Sequence, residues 1–155
     1  MSSTDVHARL AELGIQLPAV SPPQGSYVPA LRSGDYVYVS GQVPVADGKL
    51  VATGKVGAEV TPERAKELAR QCAICALAAV DSAVGLASVV RVVKVVGFVA
   101  SAPGFTAQPG VINGASDLFA EVFGEAGRHA RSAIGVAELP LGSPVEVEMI
   151  VQVAD

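Results

Sequence analysis

The stretch from Val89 to Val99 constrains the fold most, because it is nearly continuous β-branched sequence broken by Arg91, Lys94 and Gly97. A run of this length and type suits a central strand buried on both faces better than one with a wet side. The last segment has a different grammar: Val145, Val147, Met149, Val151 and Val153 fall on one face of a strand, and Glu146, Glu148 and Gln152 on the other. Two such strands require a sheet.

The intervening segments read as helices and turns. Thr61-Pro62-Glu63 supplies an N-cap, a first-turn proline and a first-turn acid, and Ala65, Leu68, Cys72, Cys75, Ala79 and Ala83 follow at helical spacing up to Gly85. A second helix is expected over Gln108 to Phe123, ended by Gly124 to Gly127, and a short one over Ser3 to Leu13, ended by Gly14. Tyr27 to Leu31 and Tyr36 to Ser40 form a hairpin about Gly34-Asp35, Asp47-Gly48 marks a tight turn, and Arg131 to Ala137 makes a further strand. Two long helices can cover one face of this antiparallel-rich sheet, giving an α+β fold. The doubly apolar Val89 to Val99 then requires a cover for the second face. A second copy of the sheet is the simplest one, so the chain is expected to be a homo-oligomer.

Composition narrows the function. A chain of 155 residues fits one domain. Residues 1–24 read as an N-terminal helix and a proline-rich lead-in, and residues 25–155 as the domain proper. Apolar residues make up 50% of the chain but are interrupted too often for a membrane span, and the N-terminus lacks the apolar core of a secretory signal, so a cytoplasmic location is expected. The net charge is −4, with cations scattered apart from Arg128 and Arg131, which makes nucleic acid a poor partner. Cys72 and Cys75 sit in mid-helix without a second ligand pair, which favours core packing over zinc or redox chemistry. The glycine-rich stretch Gly48 to Lys55 has the wrong spacing for a phosphate loop, and Val56 stands where a magnesium-binding hydroxyl is needed.

Four segments, Gly25-Ser-Tyr-Val-Pro, Val39-Ser-Gly-Gln-Val-Pro44, Ala130-Arg-Ser-Ala-Ile-Gly-Val-Ala-Glu-Leu-Pro140 and Val145-Glu-Val-Glu148, occur in an order that resembles the Rid/YjgF family. That family comprises small trimeric proteins, among them enamine and imine deaminases, with a fold resembling chorismate mutase. The resemblance implies that Arg131 binds a substrate carboxylate, that Tyr27, Ser40 and Asn113 line the pocket, and that Glu146 orients water together with the backbone carbonyl of Ala133. It also implies a homotrimer with the site between subunits, a small carboxylate-bearing metabolite as partner, and no metal or organic cofactor. Ala133 departs from the cysteine that many deaminases carry there, and the N-terminal extension and the Gly48 to Val60 loop mark a divergent branch.

Each site residue also has a plainer reading. Arg131 could be a solvated edge charge or an ion-pair partner of Glu138 or Glu146, Tyr27 and Ser40 ordinary strand residues, and Asn113 a turn or helix residue beside Gly114. Glu146 and Glu148 lie about 6.6–7 Å apart along a strand, where solvent-facing charge is commoner than paired-carboxylate catalysis. His129, between two arginines, reads as a surface or interface contact. Hydrolytic deamination of small 2-imino or enamine acids is the expected function. The alternatives are a non-catalytic carboxylate-binding trimer and, less well supported, an endoribonuclease or translation inhibitor.

Overall fold

Strict alternation makes the final strand the spine of the sheet. In the computed structural model, which describes residues 3–155, the order is α1 (Ser3–Glu12), β1 (Ala30–Ser33), β2 (Tyr36–Gln42), β3 (Val45–Ala46), β4 (Lys49–Leu50), α2 (Pro62–Val84), β5 (Val89–Ala100), α3 (Gln108–Phe123), β6 (Ala130–Val136) and β7 (Val145–Val153). Residues 1 and 2, the start of the expected lead-in, lie outside the described residues. Five strands form one sheet in the order β1-β2-β7-β5-β6. Every pairing is antiparallel except β5 with β6, and there α3 supplies the crossover that parallel neighbours need. The β3–β4 hairpin stands apart, and its turn residues Asp47 and Gly48 both have positive φ (52° and 76°), as a two-residue hairpin turn with the right twist demands.

The helices form where the chain signals them. Thr61 Oγ1 accepts the Arg64 N–H at 3.1 Å, Pro62 occupies the first turn, and Gly85 leaves α2 with φ 81°. Inside, Val145, Val147, Met149, Val151 and Val153 meet Val37, Val92, Val95 and Val99 across one face of the sheet, and α2 and α3 close that face with Leu68, Leu77, Ile112, Leu118 and Phe119. Each fully buried side chain of this size contributes about 1.5–3 kcal/mol, so this layer dominates stability. A small residue on α3 brings the two helices close: a Cβ on Gly114 would overlap the Lys66 carbonyl of α2. Helix α1 adds Val6 and Leu10 to the same core, packing on the 3-10 turn Leu86–Ser88 and on α3.

One expectation is corrected. The first strand of the hairpin begins at Ala30 rather than Tyr27. Pro29 has no N–H to give a ladder, and its carbonyl instead accepts from Ser40 N at 2.9 Å. Within a single chain β5 is covered on one face: Val92, Val95 and Val99 are buried, and Val90 is 45% exposed. The helical layer lies on one face only, and the opposite face presents Leu31, Tyr36, Tyr38 and Ile134 to solvent.

The glycines of α3 separate close packing from helix propensity. Gly114→Ala should cost about 1–3 kcal/mol through overpacking against α2. Gly110→Ala, where an added Cβ meets nothing, should be neutral or stabilise by up to about 1 kcal/mol. Urea unfolding midpoints of the two variants would reveal this opposite sign.

Candidate functional site

Arg131 sits on β6, an edge strand, paired with Val95 of β5, whose side chain is in the core; the arginine therefore projects on the helix-covered side. There α3 receives it. Nη1 donates to Asn113 Oδ1 at 2.8 Å and to Ser116 Oγ at 3.2 Å, and Nη2 donates to the Pro109 carbonyl at 3.3 Å. Three of the five guanidinium N–H groups are thus engaged, and Nε and Nη2 each keep one proton without a partner among the described residues. That adjoining pair is the fork a carboxylate takes side-on.

No carboxylate of the described residues occupies it. Arg9, Arg32, Arg64, Arg70 and Arg128 are each ion-paired, and Glu138, an alternative partner for Arg131, is instead bound to Lys55 at 3.0 Å. His129 extends the anchorage. Its Nδ1 lies 2.6 Å from the Gly127 carbonyl, which can only accept, so Nδ1 carries the proton and Nε2 accepts from Ser116 Oγ at 2.9 Å. Ser116 then gives its hydroxyl proton to His129 and receives one from Arg131. Burial lowers the His129 pKa, the Gly127 carbonyl opposes that, and the charge of Arg131 adds to the lowering. The ring also stands edge-on to Phe119, centroids 5.9 Å apart.

The remaining expected residues form a second group. Glu146 lies opposite Phe98 in the β5–β7 register, on the face away from the helices. Its carboxylate rests over Gly41 of β2, where any Cβ would collide with it. Burial raises its pKa, and Glu148 beside it adds to the rise. Ser40 donates to the Val28 carbonyl at 2.6 Å, and with Tyr27 it lines a cavity of about 510 Å³ that Lys94 and Glu148 also border. Ala133, two residues after Arg131, packs its methyl against the core.

One chain thus brings Arg131 to Asn113, and Tyr27 to Ser40, but not the two groups to each other. Glu146 and Arg131 are two strands apart, about 10 Å, and offset by a further three residues, about 10 Å along the strands, on opposite faces. Sequence reasoning missed Ser116, although its position one turn after Asn113 puts both on one helix face. It also missed Gly41 as the seat of Glu146, a contact set by the bulge between Val39 and Gln42. The two thiols donate to carbonyls, Cys72 to Val145 and Cys75 to Val45, and burial pushes both pKas up.

A family model described as Endoribonuclease L-PSP matches residues 18–153. The chain belongs to this family, the YjgF/Rid family. Protein TCP17 of Trypanosoma cruzi is 47% identical over 154 residues, covering 98% of this chain and 96% of its own. Among solved structures, Atu1372 of Agrobacterium tumefaciens, a protein of unknown function, is 46% identical with a TM-score of 0.89, covering 97% of this chain and 93% of that one. A putative endoribonuclease from Shewanella oneidensis MR-1 is 32% identical with a TM-score of 0.93, covering 96% and 99%. This YjgF/Rid chain thus shares its architecture with relatives over nearly its whole length. No helix among the described residues is long and apolar enough to cross a membrane.

The His129 contact sets a pH dependence of stability. With its folded pKa below the ordinary value of about 6.5, the unfolded chain takes up a proton that the folded chain refuses, so this term destabilises as pH falls below about 6.5. Glu146, raised on folding, acts with the opposite sign: its term stabilises in acid and fades as pH rises through the folded pKa. Urea midpoints between pH 7 and 5 should therefore fall more steeply in the wild type than in His129→Gln. Parallel slopes would disprove the buried neutral imidazole.

Proposed function

We propose that the protein hydrolyses small 2-imino or enamine acids to 2-oxo acids and ammonia, with Arg131 binding the substrate carboxylate. The observation that carries this reading is the unpaired Nε and Nη2 fork of an arginine whose other donors are tied to Asn113, Ser116 and Pro109. A guanidinium held this way is planar, permanently charged and already oriented, which suits bidentate capture of a carboxylate.

The two groups complete one site when the β6 edge of one protomer meets the open sheet face of a neighbour. The apolar side chains left on that face, Leu31, Tyr36, Tyr38 and Ile134, support such an association. A homotrimer is the assembly this reading takes. Arg131, Asn113 and Ala133 then come from one subunit, and Tyr27, Ser40 and Glu146 from another.

Chemistry follows from the charges. Arg131 holds the carboxylate next to the C=N carbon and withdraws electron density from it. Glu146 and the Ala133 carbonyl hold water, whose oxygen attacks that carbon as Glu146 accepts a proton. The carbinolamine nitrogen takes up a proton, the C–N bond breaks, and ammonia leaves as the C=O forms, so that R–C(=NH)–COO⁻ and water give R–C(=O)–COO⁻ and ammonia. A carboxyl with a raised pKa is the better base for this task. The thiol absent at Ala133 has no part in these steps.

Ribonuclease activity, which the family's description names, finds little support in a chain of net charge −4 whose cations are mostly paired with its own carboxylates. The deciding assay follows 2-oxobutanoate formation from freshly generated 2-iminobutanoate. Wild type should accelerate it, Arg131→Ala should lower kcat/KM about hundredfold, and Arg131→Lys should fall between, since each charge-assisted hydrogen bond contributes about 1.5–3 kcal/mol. Equal rates in all three proteins would remove the reading. Salt-sensitive RNA cleavage abolished by Arg131→Ala would replace it.

A further inference from the structure

His129 has no part in the steps proposed above, yet it is half-buried and both of its ring nitrogens are committed. Nδ1 faces the Gly127 carbonyl at 2.6 Å, and Nε2 faces Ser116 Oγ at 2.9 Å. Close packing brings that carbonyl into place. A Cβ on Gly127 would collide with the Phe119 carbonyl, so a glycine is needed for the turn Gly124–Gly127 to fold back onto α3. Phe119 then stands edge-on to the imidazole. The ring is thus held by backbone on one side and by an aromatic side chain on another.

This placement gives the hydrogen bonds a direction. A carbonyl only accepts, so Nδ1 carries the proton and Nε2 is left as an acceptor. Ser116 has one hydroxyl proton and gives it to Nε2. Its oxygen then faces Arg131 with lone pairs alone and accepts from Nη1 at 3.2 Å, while Asn113 Oδ1 takes the other Nη1 proton at 2.8 Å. With both Nη1 protons engaged, the guanidinium meets a ligand side-on, through Nε and Nη2. Without the imidazole, the hydroxyl could turn its proton toward the guanidinium, where it would repel the donor instead of accepting from it.

We propose that His129 and Ser116 are positioning residues of the carboxylate site, with His129 acting through the Ser116 hydroxyl on the guanidinium of Arg131. The inference rests on the reading of Arg131 as a carboxylate binder and not on the hydrolytic steps. Neither side chain touches the ligand. Both act on how far the guanidinium is oriented before the ligand arrives, and this is expressed as affinity. In turnover their loss raises KM and spares kcat, because the carboxylate is held alike in the ground state and the transition state.

The test is calorimetric titration with 2-oxobutanoate, the product of the assay above, at pH 8, where a ring whose pKa is lowered by burial is neutral. Ser116→Ala and His129→Leu should each weaken binding by roughly threefold to tenfold, the contribution of one neutral hydrogen bond, with the stoichiometry unchanged. Loss of folded protein would lower the stoichiometry instead. The double variant should bind no more weakly than Ser116→Ala alone, because the two residues act in series. His129→Gln, whose amide oxygen reaches the place of Nε2, should bind within about twofold of wild type. Wild-type affinity in Ser116→Ala and His129→Leu, effects that add in the double variant, or a glutamine no better than leucine would overturn the positioning role and leave the carboxylate reading standing. No binding to the wild type, or binding that Arg131→Ala leaves intact, would overturn both.

Discussion

Helix α3 reaches Arg131 because nothing separates it from its neighbours. Ile112 occupies the space that a side chain on Gly97 of β5 would need, and Gly114 lies against the Lys66 carbonyl of α2. Drawn in on both sides, α3 sets the Asn113 amide and the Ser116 hydroxyl on one face, one turn apart, within reach of the edge strand β6. Three donors of the guanidinium are thereby fixed on the protein side. The side-chain entropy of a long cation, about 2 kcal/mol, is therefore largely lost before any ligand arrives. Close packing in the helical layer and anion readiness at the sheet edge are consequences of the same two glycines.

A sheet with helices on one face and apolar side chains on the other sets a second constraint. The chain spends all of its helices on the face that holds Val92, Val95 and Val99, leaving Tyr36, Tyr38 and Ile134 uncovered. The candidate residues divide along the same line: Arg131 and Asn113 on the covered side, Ser40 and Glu146 on the open one. A single chain cannot join them through the thickness of its own sheet. On the proposed reading, therefore, association is part of catalysis.

How much of this was legible in the sequence follows from how local each signal is. The bounds of α2 and α3 and the whole of β7 could be read directly, because capping residues, a first-turn proline and strict alternation act within a few residues. The start of β1 could not, since Pro29 removes a ladder donor just where the hydrophobic pattern suggests a strand. The run of valines in β5 reported that both of its faces are apolar, and within one chain the helices cover only one of them. Seating Glu146 on Gly41 depends on the β2–β7 register and its bulge, a pairing between residues about a hundred positions apart. Arg131, by contrast, stood out through the motif around it, while its support from Ser116 was available only as a helical spacing.

One competing arrangement is an ion pair between Arg131 of one copy and Glu146 of another, which would neutralise both and close the site. The electrostatics weigh against it. Burial and the neighbouring Glu148 raise the Glu146 pKa above its ordinary value, so a pair with Arg131 would have to offset the desolvation of both ions. A metabolite's α-carboxyl ionises near 3.3–3.7 in simple peptides, about a unit below a glutamate, and brings its charge at little cost. The same desolvation that makes Glu146 a poor partner for the guanidinium makes it a better proton acceptor from water. On the proposed reading the fork of Arg131 is thus left to a ligand's carboxylate, while the stronger base stands where water would be deprotonated.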